Sequence, residues 1–346
     1  ERGGVENWVK EVQNATRLRR IASGVTEINQ ALSVDGVSAD SIQAKLEALA
    51  FDLSSRNDSG TTFGPGELIR SAEKMLDDMK KAKNGIVGLS TGFEGLDKIL
   101  GGLKAGQFFV IGARPSVGKS SLSLQIANHV CNQGQTVCFI SLEMEADVLA
   151  LTRACQEANV DQSYLRAVKA DERLPPVQRI QDVLFKHHNT KFFVEKLFNP
   201  TFAAIRSRVS RLRAKHGLGL IVLDYLQIMS GDAKKQNRNE ELSAVCNGLK
   251  QMASQMGVPI IVCAQLNRDA ANEKPRLSMI RDSGSIEATA DIALLLHRPV
   301  DIPEGNVPYP VTWMIEKNRS GPIGIVNAQF HPKFQKFFEE AREQSN

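Results

Sequence analysis

Apolar residues fall into two regimes along this chain. Up to about residue 83 they recur every three or four positions, as on helices. Leu18, Ile21, Val25, Ile28 and Leu32 follow 3-4-3-4 spacing, which places them on one helix face. Ile42, Leu46, Leu49 and Leu53 mark a second, shorter helix after the turn-prone VDGVSAD segment. SSRNDSGTTFGPG, residues 54–66, has the composition of a linker. A third helix is expected from about Glu67 to Lys81, with Leu68, Ala72, Met75, Leu76 and Met79 on one side. An isolated amphipathic helix of this length is marginal in water. Its stripe is therefore expected to be covered, either by folding back on its own domain or by docking on a neighbouring subunit.

From about residue 86 the pattern changes. QFFVIGA (107–113), TVCFISLE (136–143), KFFVEK (191–196), GLIVLDYL (219–226), PIIVCAQL (259–266) and IALLLHR (292–298) are short β-rich runs, most of them separated by segments of helical length. Near-continuous apolar strands joined by helices predict an α/β fold with a mostly parallel central sheet covered on both faces. VTWMIEKNR and GIVNAQFHP flank a Ser-Gly-Pro turn and read as a β-hairpin.

Composition narrows the picture a little. Hydrophobic residues are 42% and charged residues 24% of the 346, which excludes wholesale disorder. The formal net charge of +4 fits a nucleic-acid partner without demonstrating one, because the basic residues are spread along the chain. Cys131, Cys138, Cys155, Cys246 and Cys263 form no CxxC pair, and Cys138 and Cys263 sit in apolar runs, so reduced, buried thiols and a cytoplasmic setting are expected. No stretch is apolar over the roughly 20 residues that span a bilayer, so no membrane partner is expected.

The strongest chemical signal is ARPSVGKS, Ala113 to Ser120, which fits GxxxxGK[ST] except for Ala in the first position. It follows a strand-like run and opens a helical segment, so backbone N–H groups and the helix dipole converge on a phosphate. The expected nucleotide contacts are Ala113, Ser116, Val117, Gly118, Lys119, Ser120 and Ser121. Lys119 supplies charge to the β- and γ-phosphates of ATP, and the Ser120 hydroxyl is a ligand for Mg²⁺.

In open parallel sheets ligands bind beyond the carboxyl ends of the strands. Three polar residues stand at those ends. Asp224, after a run of apolar residues, has the pattern of a second Mg²⁺-shell residue; Glu143 is placed to activate water as a general base; Gln265 can sense the γ-phosphate. For each one alone, a structural cap is the competing reading. Lys317 and Arg319, in EKNRSGP, are either phosphate-stabilising fingers or a solvated turn.

In order along the chain, ARPSVGKS, SLEM, DYLQIMSG, QLNR, RDSGSIE and EKNRSGPIG resemble the motifs of DnaB-type replicative helicases, over about residues 84–338. That resemblance implies a RecA-like P-loop motor in a homohexameric ring, moving 5′→3′ on single-stranded DNA. It implies that Lys317 and Arg319 reach a neighbouring subunit's site. It also implies that Arg281, Asp282 and Gly284 belong to a loop presented to the DNA backbone, with Gly284 allowing close approach. Lys234, Lys235 and Arg238 read equally as a second basic loop or as solvated surface. The implied layout is a helical segment at 1–53, a linker with the docking helix at 54–83, the motor at 84–338 and a tail at 339–346. Residues 1–53 match at most the last helices of the family's amino-terminal domain, so contacts with a helicase loader or primase are not implied by the motor motifs. Where the family has an Arg nine residues after the SLEM glutamate, this chain has Thr152, with Arg153 beside it. The alternatives are a RecA-like recombination ATPase, which leaves RDSGSIE and EKNRSGP unexplained, and a scaffold or loader that uses ATP only to hold a ring.

Overall fold

The structure, a computed structural model, describes residues 2–33, 39, 41–42, 45–46, 49, 64–82, 85–167, 174–197, 200–224, 226, 235–267, 274–280, 283–298 and 306–340. The chain forms two compact units, Glu1–Lys74 with Ala203–Ser207, and Met75–Phe202 with Arg208–Asn346.

In the first unit, helix α1 (Arg2–Leu32) carries the expected stripe. Ile28 is buried, whereas Leu18, Val25 and Leu32 are exposed. Ile42, Leu46 and Leu49 are helical, as their spacing predicts, and Leu53 lies outside the described residues. Leu49 packs so closely on Gly24 of α1 that no Cβ fits there.

Helix α2 (Pro65–Lys81) begins with a proline whose missing N–H is no loss in a first turn. The Glu67 carboxylate accepts the Gly64 N–H at 2.9 Å, half of a capping box. Lys80 and Lys81 suit the negative end of its dipole. None of its residues is buried, and Leu68, Ile69, Met75, Leu76 and Met79 stand exposed. Cover from the chain's own described residues, one of the two expectations for this helix, is not found.

The second unit is built on nine strands. In chain order its elements are α3 (Glu94–Leu100), β1 (Phe108–Ala113), α4 (Lys119–Asn132), β2 (Val137–Ser141), α5 (Ala146–Ala158), α6 (Gln162–Ala167), α7 (Pro175–His188), β3 (Phe192–Lys196), α8 (Phe202–His216), β4 (Leu220–Asp224), α9 (Lys235–Met256), β5 (Ile260–Gln265), α10 (Ser283–Thr289), β6 (Ile292–His297), β7 (Tyr309–Asn318), β8 (Gly324–His331) and β9 (Lys336–Glu339). The sheet order is β3-β2-β4-β5-β1-β6-β7-β8-β9. The first six strands run parallel and the last three are an antiparallel meander. Every residue of β1, β2 and β4 is buried, which is why these strands read as unbroken apolar runs rather than alternating ones. In β7 and β8 the alternation returns, as expected where helices no longer cover both faces.

The largest core cluster joins the sheet to α3 and α4. Phe93 meets Trp313 edge-on at 4.8 Å, and Trp313 meets Phe337 of β9 at 5.4 Å. β9, only four residues long, had no separate signature in the sequence. All five cysteines are buried and free. Burial pushes Cys138 and Cys246 up to about 12 and Cys155 up to about 11.

Candidate active site

The loop between β1 and α4 has the geometry its sequence predicts. Ser116 sits at φ 62° and Gly118 at φ 101°, backbone turned so that successive N–H groups face one centre. Gly118 is obligatory for two reasons: its φ is left-handed, and a Cβ there would lie 2.6 Å from the Phe337 ring. Helix α4 starts at Lys119 directly after it. Val117 is buried and anchors the loop, while Ser116 is exposed and Ser120 and Ser121 are half-buried.

Lys119 Nζ lies 2.9 Å from Asp224 Oδ1 and 3.4 Å from Ser120 Oγ. Burial opposes the Lys119 charge, yet Cys263, Asp224 and Glu143 together hold its pKa above the usual lysine value. The ammonium is therefore fully charged and centred among the acidic groups.

Register explains how these residues meet. Ser141 pairs with Asp224 across β2 and β4, and Ala113 pairs with Gln265 across β1 and β5. The carboxyl ends of β2, β4, β5 and β1 thus form one continuous edge. Strand β2 ends at Ser141, and Glu143 follows in an exposed bend tied to β4 by the Leu142 N–H on Asp224 O at 2.8 Å. The structure brings together Ala113, Lys119, Ser120, Glu143, Asp224 and Gln265, as expected. Ser120 Oγ and the Asp224 carboxylate, both within reach of one ammonium, are the hard oxygen donors that suit a small divalent cation bridging to phosphate.

The finger candidates sit elsewhere. Ile292 and Ala293, at the start of β6, pair with Asn318 and Lys317 of β7, and Ile292 is level with Phe109 at the start of β1. Lys317 and Arg319 are therefore at the amino edge of the sheet, about 15 Å along the strands from the phosphate loop of the same chain. A bulge between Ala293 and Leu294 of the β6–β7 ladder locally turns this end of β7. Lys317 Nζ donates to Glu287 O at 2.5 Å, and Arg319 donates to Ala288 O at 2.6 Å. Partial burial and the Arg319 charge push the Lys317 pKa down.

Arg281 and Asp282 lie outside the described residues, as does Lys234. Lys235 and Arg238 are in the first turn of α9 rather than in a loop. Gly284 is not in a loop either, as expected from the sequence, but in the first turn of α10. Ile286, three residues after Ser283, is fully buried, and that anchor extends the helix back over Gly284. Gly284 is exposed, with nothing within 4 Å of where a Cβ would stand. Arg153 is turned inward: its Nε donates to Asn128 Oδ1 at 2.7 Å and its guanidinium lies 4.2 Å over the Phe192 ring. It packs α5 on α4 and does not face the phosphate loop's edge of the sheet.

The family model of the DnaB-like helicase C terminal domain matches residues 88–339, the whole of this sheet and its helices. The chain belongs to the DnaB-like helicase family. The replicative DNA helicase DnaB of Geobacillus stearothermophilus is 30% identical over 355 residues, a match covering 98% of this chain and 77% of that one. A probable replicative DNA helicase of Trieres chinensis is 31% identical, covering 97% and 75% respectively. Two solved structures share the fold. One, a free-standing ATPase domain, matches with a TM-score of 0.72 at 24% identity, over 80% of this chain and all of that one. The other, a DnaB-like replicative helicase solved with its interactions with primase, matches at 0.75 and 23% identity, over 95% and 77%. The fold is the RecA-like ATPase fold, and this DnaB-like protein is an ATP-hydrolysing DNA helicase of replication.

Two arginines at the helicase's loop escaped the sequence reading. Arg298 donates to Ser116 O at 3.3 Å, and Arg114 donates to Asn267 O at 3.2 Å. Arg298 closes β6, so the strand-end rule that flagged Asp224 and Gln265 would have flagged it. Phe337, beneath Gly118, gave no local signal because its partner lies at the other end of the motor sequence.

Proposed function

We propose that Mg²⁺-ATP binds at the Ala113–Ser121 loop and is cleaved only when a second copy of the chain completes the pocket. Lys119 leaves Asp224 to meet the β- and γ-phosphates, helped by the N–H groups of Ser116 to Ser121. Ser120 and Asp224 would hold Mg²⁺, which neutralises phosphate charge when bound. Glu143 takes the proton of the attacking water, and its exposure on the bend leaves room for that water. Gln265, on the strand paired with Ala113, reads the state of the γ-phosphate. Lys317 and Arg319 of the neighbouring subunit stabilise charge on the transferring phosphoryl group.

The observation that carries this reading is the position of Lys317 and Arg319 at the opposite sheet edge from their own loop. Residues that far away cannot serve the same chain's phosphates, but a head-to-tail neighbour presents them naturally, and such contacts close into rings. We infer a homohexamer, with α2 docking its exposed stripe on the adjacent subunit. Single-stranded DNA passes through the centre in the 5′→3′ sense, touched at its backbone by Arg281, Asp282 and Gly284. On this reading the motor spans 84–338, after a helical segment (1–53) and a linker (54–83), and works in the cytoplasm, with a loader and primase as candidate partners. The primase partner is suggested by the helicase solved with one.

The test is subunit mixing. Lys119→Ala and Arg319→Ala should each abolish DNA-stimulated hydrolysis in pure rings, the second while retaining nucleotide binding. Mixed one to one, about one interface in four joins an intact loop to an intact finger, and hydrolysis should return to a corresponding fraction. Mixtures that stay dead would show that each chain supplies its own finger.

A further inference from the structure

Resting on the trans-finger reading, we propose that Asp291 is a positioning residue for Arg319, and that α10 is the rod joining the phosphate edge of one subunit to the finger it offers its neighbour. The two ends of this rod are tied to opposite edges of the sheet. At the phosphate edge, Leu266, directly after Gln265, bridges Ile280, and the Asn267 N–H donates to Met279 O at 2.8 Å. From there the chain enters α10 (Ser283–Thr289), about 10 Å of helix. It emerges at Asp291 on the amino edge, where the Arg319 N–H donates to Asp291 O at 2.9 Å.

Asp291 is nearly buried and each of its carboxylate oxygens is engaged. Oδ2 accepts the Phe108 N–H at 2.8 Å and the Lys250 ammonium at 2.5 Å. Oδ1 faces Arg319 at 3.6 Å. Two bonds lock the carboxylate to β1 and α9, and the looser third contact is left for the finger. The second wall of the socket is the carboxyl end of α10. Its last carbonyls have no helical donor, and Lys317 and Arg319 supply the missing donors at Glu287 O and Ala288 O. Positive charge there is also favoured by the helix dipole. Contacts to α9, through Ser243 with Ser285 and Asn247 with Thr289, keep the rod in one line. A shift of Gln265 on loss of the γ-phosphate therefore moves Ile280, α10 and the socket together.

A positioning role differs from a structural one in where the defect lies. Asp291→Asn removes the charge that aims Arg319 but leaves the phosphate loop of its own chain intact. The expected result is a fall in kcat of roughly 10- to 100-fold, the scale of a misplaced catalytic group, with KM for ATP unchanged. Mixed with Lys119→Ala, the variant should regain hydrolysis, because its sound loop then meets a sound finger. Lys250→Met is the second variant: with its counter-ion gone, Asp291 grips Arg319 harder, and kcat should fall with the same recovery in mixed rings. Unchanged turnover in both variants overturns the proposal, as does a loss that mixing does not repair. The Arg319→Ala and Lys119→Ala mixture run alongside separates the two levels. Recovery there without recovery for Asp291→Asn sinks the socket alone, and no recovery in either sinks the trans finger as well.

Discussion

At the scale of single residues, the phosphate pocket is held in shape by a pair of opposite charges. Lys119 sits 2.9 Å from Asp224 in a site where both side chains are largely out of solvent. Two buried charges that lost each other without replacement would cost several kcal/mol, so the pair keeps the loop in the form that phosphate needs. Gly118 is the residue on which that shape turns. Gly118→Ala forces a left-handed φ on a side chain and drives a methyl into Phe337, so nucleotide binding should weaken by at least about tenfold, from strain of roughly 1–3 kcal/mol. Equilibrium titration with a fluorescent ATP analogue checks it, and affinity within twofold of the parent would rule the strain out. Lys119, Ser120, Asp224 and Gln265 were legible in the sequence because each follows an apolar strand at a known offset. Asp291 was not: it precedes its strand, and its meaning depends on Lys250 and Arg319, which only folding brings near.

At the scale of elements, the phosphate-loop helix is fastened from outside the parallel sheet. Gln125 of α4 donates to Phe337 O at 3.0 Å and accepts the Phe337 N–H at 2.7 Å, so one side chain holds both backbone groups of an edge strand. Gln125→Ala leaves those groups unpaired, at about 1–3 kcal/mol. For a motor of this size that lowers Tm by on the order of 5 °C. Because Phe337 also lies beneath Gly118, KM for ATP should rise more than kcat falls. A calorimetric scan paired with steady-state kinetics tests both, and a normal KM in a destabilised protein would confine Gln125 to a structural role. The sequence revealed the six parallel strands and the β7–β8 hairpin from their apolar runs. It concealed β9, whose four residues are too few to show a period, and it placed Gly284 in a loop although Ile286 draws it into α10. The exposed stripe of α2 was visible in both, since spacing alone defines it.

At the scale of the whole molecule, sequence-independent travel demands contacts to phosphates rather than bases. Arg281→Ala should therefore weaken binding to single-stranded DNA of every sequence alike. It should also flatten the dependence of log affinity on log salt by about 0.7, one phosphate contact on a single strand. Titrations with dT and mixed-sequence oligonucleotides at several salt concentrations check this, and a loss confined to particular sequences would contradict a backbone-only role. The motor's ring is also unusually easy to instrument. With every native thiol shielded by packing, and those of Cys138, Cys155 and Cys246 further quietened by raised pKa values, a maleimide dye has almost nothing to attack on the folded chain. One cysteine placed at Ile323, on the exposed turn beside Arg319, would then carry the only label. Its colour or lifetime would follow the junction between neighbours through each round of ATP cleavage, with no native cysteine removed beforehand.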